Sequence, residues 1–315
     1  MTTPLPLVHH TGVTLLGAPT DVGAGVQGSA LAPHALRLAG LASRLAQAGV
    51  NVVDRGDLQG PDRPPDLDQA QVGPPLHHLN QVIAWNQTVH DAVLAELQQD
   101  RLPVLLGGDH SLAIGSISAV ARYCRQQGKA LRVIWLDAHA DFNTAASSPS
   151  GNIHGMPVAC LCGEGPQGLT TLAGVSPALT PDQVTQLGVR SVDATEALRI
   201  LARGLKIYSM ADIRAQGIAK VMELALAGID ANTHLHVSFD VDFLDPLLAP
   251  GVGTPAAQGP TLAQSLYCID RLAACAGLGS VDVVELNPRT DKGTRTTELV
   301  ATLLTRLLNQ KPRQQ

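Results

Sequence analysis

Eight short apolar runs, separated by longer segments of helical periodicity, set the strongest limit on how this 315-residue chain can fold. They are Gly12–Leu16, Val50–Asp54, Pro103–Leu106, Leu131–Leu136, Gln186–Val189, Leu205–Tyr208, Leu235–Phe239 and Val281–Glu285. Several are apolar throughout rather than alternating, as strands covered on both faces must be. The helical segments fall near 33–48, 80–99, 113–127, 194–203, 211–227, 261–276 and 294–309. Strands alternating with helices read as a three-layer α/β/α sandwich around a mostly parallel sheet of roughly eight strands. Neither a repeat nor a strong linker divides the chain, so residues 1–315 are expected to form one domain. Asn143–Gly151 and Gly163–Asp182 are rich in Gly, Pro and Ser and read as loops.

Composition narrows the class. Apolar residues make up 45% and aromatics only 3%, so the core must be aliphatic. The net charge of −5, without a basic run, gives no footprint for nucleic acid or an anionic membrane. None of the five cysteines forms a CxxC pair, which points to reduced thiols and a cytoplasmic setting. The N-terminal segment lacks the basic and apolar regions of a secretory signal. No apolar stretch reaches the ~18 residues of a membrane span.

Four acidic patches carry the chemistry: GGDHS at 107–111, DAHAD at 137–141, SFDVD at 238–242 and VELNP at 284–288. They fall at or just past strand runs, and in an open α/β sheet ligands bind beyond the carboxyl ends of the strands. They offer His110, Asp137, His139, Asp141, Asp240 and Asp242, four carboxylates and two imidazoles. That donor set suits Mn(II), Fe(II), Co(II) or Zn(II). In an extended chain, residues i, i+2 and i+4 point to one side, which would aim Asp137, His139 and Asp141 at one point. Carboxylates this close repel unless a cation lies between them. The reading is a two-metal centre for hydrolysis, where metal ions generate hydroxide at neutral pH. Each patch alone has a plainer reading as a turn or helix cap. His9, His10, His34, His77, His78, His90, His234 and His236 lack such context and read as ordinary surface or core histidines.

GGDHS, DAHAD, SFDVDFLDP and VELNP, in this order, resemble the signature motifs of the ureohydrolase superfamily of arginases, agmatinases and their relatives. The likeness runs from GAPTDVG near the N-terminus to beyond VELNP. Within the superfamily, DFNTAASSPSGNIHGMPV at 141–158 and VRSVDATE at 189–196 are most similar to arginases. Met156 and Phe243 depart from the residues many arginases carry there, and read as packing variation.

The resemblance implies a hydrolase that cleaves L-arginine to L-ornithine and urea with two Mn2+ ions. Asp137 and Asp240 would bridge the ions, with His110 and Asp141 completing one and His139 and Asp242 the other. His154 would carry protons and Glu285 would hold the guanidinium. Asn143 and Ser150, with Asn152 nearby, would receive the substrate carboxylate. Asp193, backed by Glu196, would recognise the ammonium, and a homotrimer or homohexamer is implied. Without the resemblance, Asn143 and Ser150 read as turn formers, His154 as a loop histidine and Asp193 as a helix cap. Another ureohydrolase activity, or a metal-binding homologue without catalysis, remains open at this point.

Overall fold

Strand-end residues can build one site only if the strands run the same way, and all eight do. A computed structural model of the chain describes residues 10–61 and 75–309. His9 and the first nine residues of the N-terminal segment read for a secretory signal lie outside these residues. The strands are β1 (Gly12–Gly17), β2 (Val52–Asp57), β3 (Arg101–Leu106), β4 (Ala130–Leu136), β5 (Val184–Leu187), β6 (Lys206–Tyr208), β7 (Thr233–Asp240) and β8 (Leu278–Val284). They form one parallel sheet in the order β2-β1-β3-β8-β7-β4-β5-β6. The expected α/β sandwich is therefore present, and its sheet is wholly rather than mostly parallel.

The helices are α1 (Ala32–Leu38), α2 (Leu41–Gln47), α3 (Leu79–Leu97), α4 (Ala113–Gln127), α5 (Pro157–Leu161), α6 (Gln167–Thr170), α7 (Ala194–Arg203), α8 (Met210–Gln216), α9 (Ile218–Ala225), α10 (Leu262–Ala273) and α11 (Arg295–Leu308). Two expected helices, at 33–48 and 211–227, are each a pair. Gly40 (φ 75°) and Gly217 (φ 82°) take backbone conformations a right-handed helix cannot continue through. The loop expected over Gly163–Asp182 contains the single turn α6.

Each strand feeds two cores by alternation. On β3, Leu102, Val104 and Leu106 pack with α1, α2 and the α8–α11 layer. Leu105 points the other way, into the layer of α3, α4 and α5. Each such burial contributes ~1.5–3 kcal/mol, so an all-apolar strand is stable only between two helix layers.

β7 and β8 break this rule on one face. His234, His236, Ser238, Ser280 and Asp282 are buried there facing α4. His236 hydrogen-bonds Ser280 Oγ (2.8 Å) and Asp282 Oδ2 (3.0 Å), while Ser116 of α4 donates to Asp282 Oδ1. His234 hydrogen-bonds the same Ser280 hydroxyl at 2.9 Å. Both histidines are core residues, as expected, but as members of a polar row that needs all its partners.

The five cysteines are unpaired. Burial pushes the thiols of Cys124, Cys160, Cys162 and Cys268 up to about 12. Met156 and Phe243 are both fully buried, and Phe243 lies over Gly188, where a Cβ would sit 2.5 Å from its ring.

Candidate metal centre and substrate cleft

The strand order brings the four patches together. β3, β8, β7 and β4 are consecutive neighbours, and His110, Glu285, Asp240 with Asp242, and Asp137 with His139 and Asp141 follow or end them. β5 lies next to β4 and is followed by Asp193 and Glu196.

How the acids are aimed differs from the extended-chain expectation. Asp137 lies just past the end of β4, where the backbone bends. Its Oδ1 accepts from the His139 amide at 2.6 Å. Asp240 repeats the device, its Oδ1 accepting from the Asp242 amide at 2.7 Å as the chain enters a 3-10 turn at Val241–Phe243. Asp109 and Asp193 do the same with Ser111 and with Thr195 and Glu196. In each, one carboxylate oxygen makes the local turn; the second faces His110 at Asp137 and Asp240, but accepts from Gly23 N at Asp109 and from Asn143 Nδ2 at Asp193. The helix-cap readings of Asp109 and Asp193 hold. Asp141 and Glu285 reach their positions through left-handed backbone (φ 51° and 63°), conformations that cost non-glycine residues energy and cluster at functional sites.

His110 Nδ1 lies 3.2 Å from Asp137 Oδ2, 3.1 Å from Asp141 Oδ2 and 3.0 Å from Asp240 Oδ2. It is buried and has no partner in hydrogen-bond geometry, although three carboxylates surround it. Nitrogen and oxygen atoms pointing at a common spot rather than at each other are what a cation requires. His139 Nδ1 completes a second group, 3.0 Å from Asp242 Oδ2 and 3.5 Å from Asp137 Oδ1. Thus His110, Asp137 and Asp240 form one metal-capable cluster, and Asp137, His139 and Asp242 another sharing Asp137.

The electrostatics agree. Burial alone would drive His110 down, but its contacts with Asp137, Asp141 and Asp240 hold it well above its ordinary value. Burial is likewise outweighed at His139, held up to about 12 by Asp242 and Asp137. Asp141 is pushed up to about 6 by burial and by the charge of Asp137, and Asp240 is raised by burial and by Asp242 and Asp137. Asp137 is instead held well below the carboxylate range, the two imidazoles overcoming its burial. The cluster clings to protons because acids outnumber bases. A divalent cation would relieve the same excess, so the donor set fits one.

Supporting groups fix these side chains. His110 Nε2 hydrogen-bonds Ser238 Oγ at 2.9 Å, and its ring stacks on Trp135. Trp135 Nε1 donates to Asp137 Oδ2 at 2.8 Å. Gly108 permits the approach of the loop after β1, since a Cβ there would fall 1.6 Å from Thr20 O.

Glu285 Oε1 accepts from the His110 amide and meets His154 Nδ1, both at 2.9 Å. Burial would lower His154, but the Glu285 charge and hydrogen bond raise it to about 9. A cleft of about 220 Å³ opens over the centre, lined by His110, His139, Asp141, Asn143, His154, Ser191, Asp193, Glu196, Asp240 and Thr254. Asn143 Nδ2 donates to Asp193 Oδ2 at 2.9 Å. Glu196 is buried beneath, accepting from the Phe142 amide, and burial pushes it up to about 7. Ser150 and Asn152 stand outside this lining, with Ser150 exposed and donating no described hydrogen bond. Sequence reasoning passed over Thr254, which donates to Asp242 Oδ2 at 3.0 Å from an irregular GVGTP segment with no periodicity to mark it.

The arginase family profile matches residues 11–309. The chain belongs to the arginase family. It is 38% identical to an arginase from Bacillus caldovelox over 95% of this chain and 98% of that protein. The solved structure of the Bacillus caldovelox arginase superposes with a TM-score of 0.86, covering 94% of this chain and 98% of that one. An Entamoeba histolytica arginase solved with L-ornithine is 31% identical, with a TM-score of 0.84 over 94% of this chain and 97% of that one. The arginase-family match thus spans all eight strands and both metal-capable clusters.

Proposed function

We propose that this chain hydrolyses the guanidinium group of L-arginine to L-ornithine and urea, with two manganese ions as cofactors. The observation that carries the reading is the convergence of His110 Nδ1 with Asp137, Asp141 and Asp240, joined through Asp137 to His139 and Asp242. Asp137 and Asp240 would bridge the ions, His110 and Asp141 would complete one, and His139 and Asp242 the other. When bound, the ions supply Lewis acidity and lower the pKa of water towards neutrality.

The chain's own groups do the rest. Glu285 offers Oε2 to a guanidinium, while Oε1 is occupied by the His110 amide and His154. Oε2 lies beside Gly253, where a Cβ would sit 3.7 Å from it. His154, beside it, holds a proton at neutral pH and can deliver it to the leaving amine. Asp193 would take the substrate ammonium with Glu196 behind it. Asn143, Ser150 and Asn152 would take the carboxylate.

Agmatine, which lacks a carboxylate, is the second reading to test, because Ser150 and Asn152 lie outside the cleft lining. Urea release from L-arginine, agmatine and 4-guanidinobutyrate by the Mn-loaded protein separates them. Preference for arginine supports the head-group assignment; preference for agmatine keeps the centre and overturns that assignment.

The chain would act as one domain, 1–315, in the cytoplasm, as a homotrimer or homohexamer. Unpaired cysteines support the compartment. Exposed Leu198, Leu201 and Leu247 support an interface. Among the described residues no helix is long and apolar enough to cross a membrane.

A further inference from the structure

Arg190 has no part in the chemistry above, yet it is unusually committed. Its guanidinium has no carboxylate within salt-bridge distance among the described residues. It donates instead to backbone carbonyls from three directions. Nε reaches Ala256 and Ala257, both at 3.2 Å. Nη1 reaches Gly188 and Phe243, both at 3.1 Å. Nη2 reaches Asp242 (2.8 Å), Ala256 (2.9 Å) and Leu244 (3.2 Å). Its own amide, with that of Ser191, donates to Ala138 O at 2.8 and 3.0 Å.

These partners belong to ligand-bearing segments. Ala138 lies between Asp137 and His139. Asp242, Phe243 and Leu244 present the carbonyls that the 3-10 turn Val241–Phe243 leaves unpaired at its end. Ala256 follows Thr254, whose hydroxyl holds Asp242 Oδ2. Ala138 N in turn donates to Asp242 Oδ1 at 3.1 Å. No comparable contact joins Arg190 to His110, whose own supports are Glu285, Ser238 and Trp135.

We propose that Arg190 is a positioning residue for one half of the centre, clamping the segments that carry His139 and Asp242 so that they bind the more exposed of the two metal ions. The planar guanidinium suits this work, because its five N–H groups fan out in a fixed fork. A lysine ammonium has three donors at one point and cannot span these carbonyls. The two halves differ in need: the His110 side chain is 1% exposed and the His139 side chain 28%. The His139 half therefore gains least from surrounding packing and most from a clamp.

The proposal rests on the two-ion reading, and its test separates the two. Wild type, Arg190→Lys, Arg190→Gln and His139→Ala are titrated with Mn(II) alone, free metal being read by electron paramagnetic resonance. Wild type is expected to bind in two steps, and His139→Ala identifies the weaker one by removing it. Both Arg190 variants should weaken that step about 10–100-fold, as loss of ligand-orienting partners does, and leave the tighter step within about twofold. Circular-dichroism melting of the metal-free proteins checks that they fold. Two unchanged steps, equal weakening of both, or failure of both variants to fold would overturn the assignment. A single wild-type step would overturn the two-ion reading and this proposal with it.

Discussion

The metal cradle and the outer loop sit a few residues apart in sequence yet are built by opposite means. The cradle rests on the ends of four neighbouring parallel strands, and its acids are buried, with Asp137 and Asp240 each held by a hydrogen-bonded turn. The outer loop, 143–152, hangs from the same centre by few bonds, chiefly Asn143 to Asp193 and the Asn143 amide to Gly155 O. Rigid placement suits ions, which tolerate little error in ligand position. A loop suits substrate discrimination, because it can change without moving the ligands.

Asp137→Asn gives the sharpest break. Asparagine keeps an oxygen for the turn with His139 but loses the charge between the clusters, so the protein should fold while urea release falls on the order of 1,000-fold. Retention of even a tenth of the activity would place the chemistry elsewhere. Next in size, His154→Asn should lower kcat about 100-fold with a smaller change in KM, as expected for loss of a proton donor. An effect confined to KM would make His154 a binding group.

The outer loop should respond more gently. Asn143→Ala should raise KM for arginine about tenfold, the worth of one charge-assisted hydrogen bond, and leave any turnover of agmatine unaltered. Ser150→Ala, at an exposed position, should raise it only about threefold on the lower end of the same scale. If Ser150 proves the more sensitive, the loop closes over the substrate further than it does here.

The smallest effect concerns acid stability. Burial pushes Asp193 up, but hydrogen bonds from the Glu196 amide, Asn143 and the Thr195 amide together hold it below the usual carboxylate value. A depressed folded value means its contribution is present above the unfolded value of about 3.9 and disappears as pH falls through the folded one. Melting temperatures of wild type and Asp193→Asn should therefore converge below about pH 4, and a constant gap would contradict this.

What could be read in advance follows the same division. Asp137, His139, Asp240 and Asp242 were legible because strand ends and tight spacing leave few ways to arrange them. The reason given for their convergence was wrong in detail: hydrogen-bonded turns and a left-handed Asp141 aim them, not an extended chain. The cap reading of Asp193 and its functional reading were posed as rivals, and two oxygens on one carboxylate let both be true. Thr254 and Trp135 were invisible because their roles are tertiary: neither a threonine in an irregular loop nor a tryptophan in an apolar strand announces the carboxylate it touches. The polar face of β7 and β8 was hidden similarly, since His234 and His236 acquire partners only when β8 and α4 arrive.

The buried thiols have a practical consequence. Cys124 and Cys160 belong to the helix layer on one side of the sheet, and Cys268 to the layer on the other. Held protonated and out of solvent, they are poor nucleophiles until the structure around them opens. The wild-type chain thus carries its own set of timers: the order in which these cysteines alkylate, located by mass spectrometry, would tell which layer lets go of the sheet first.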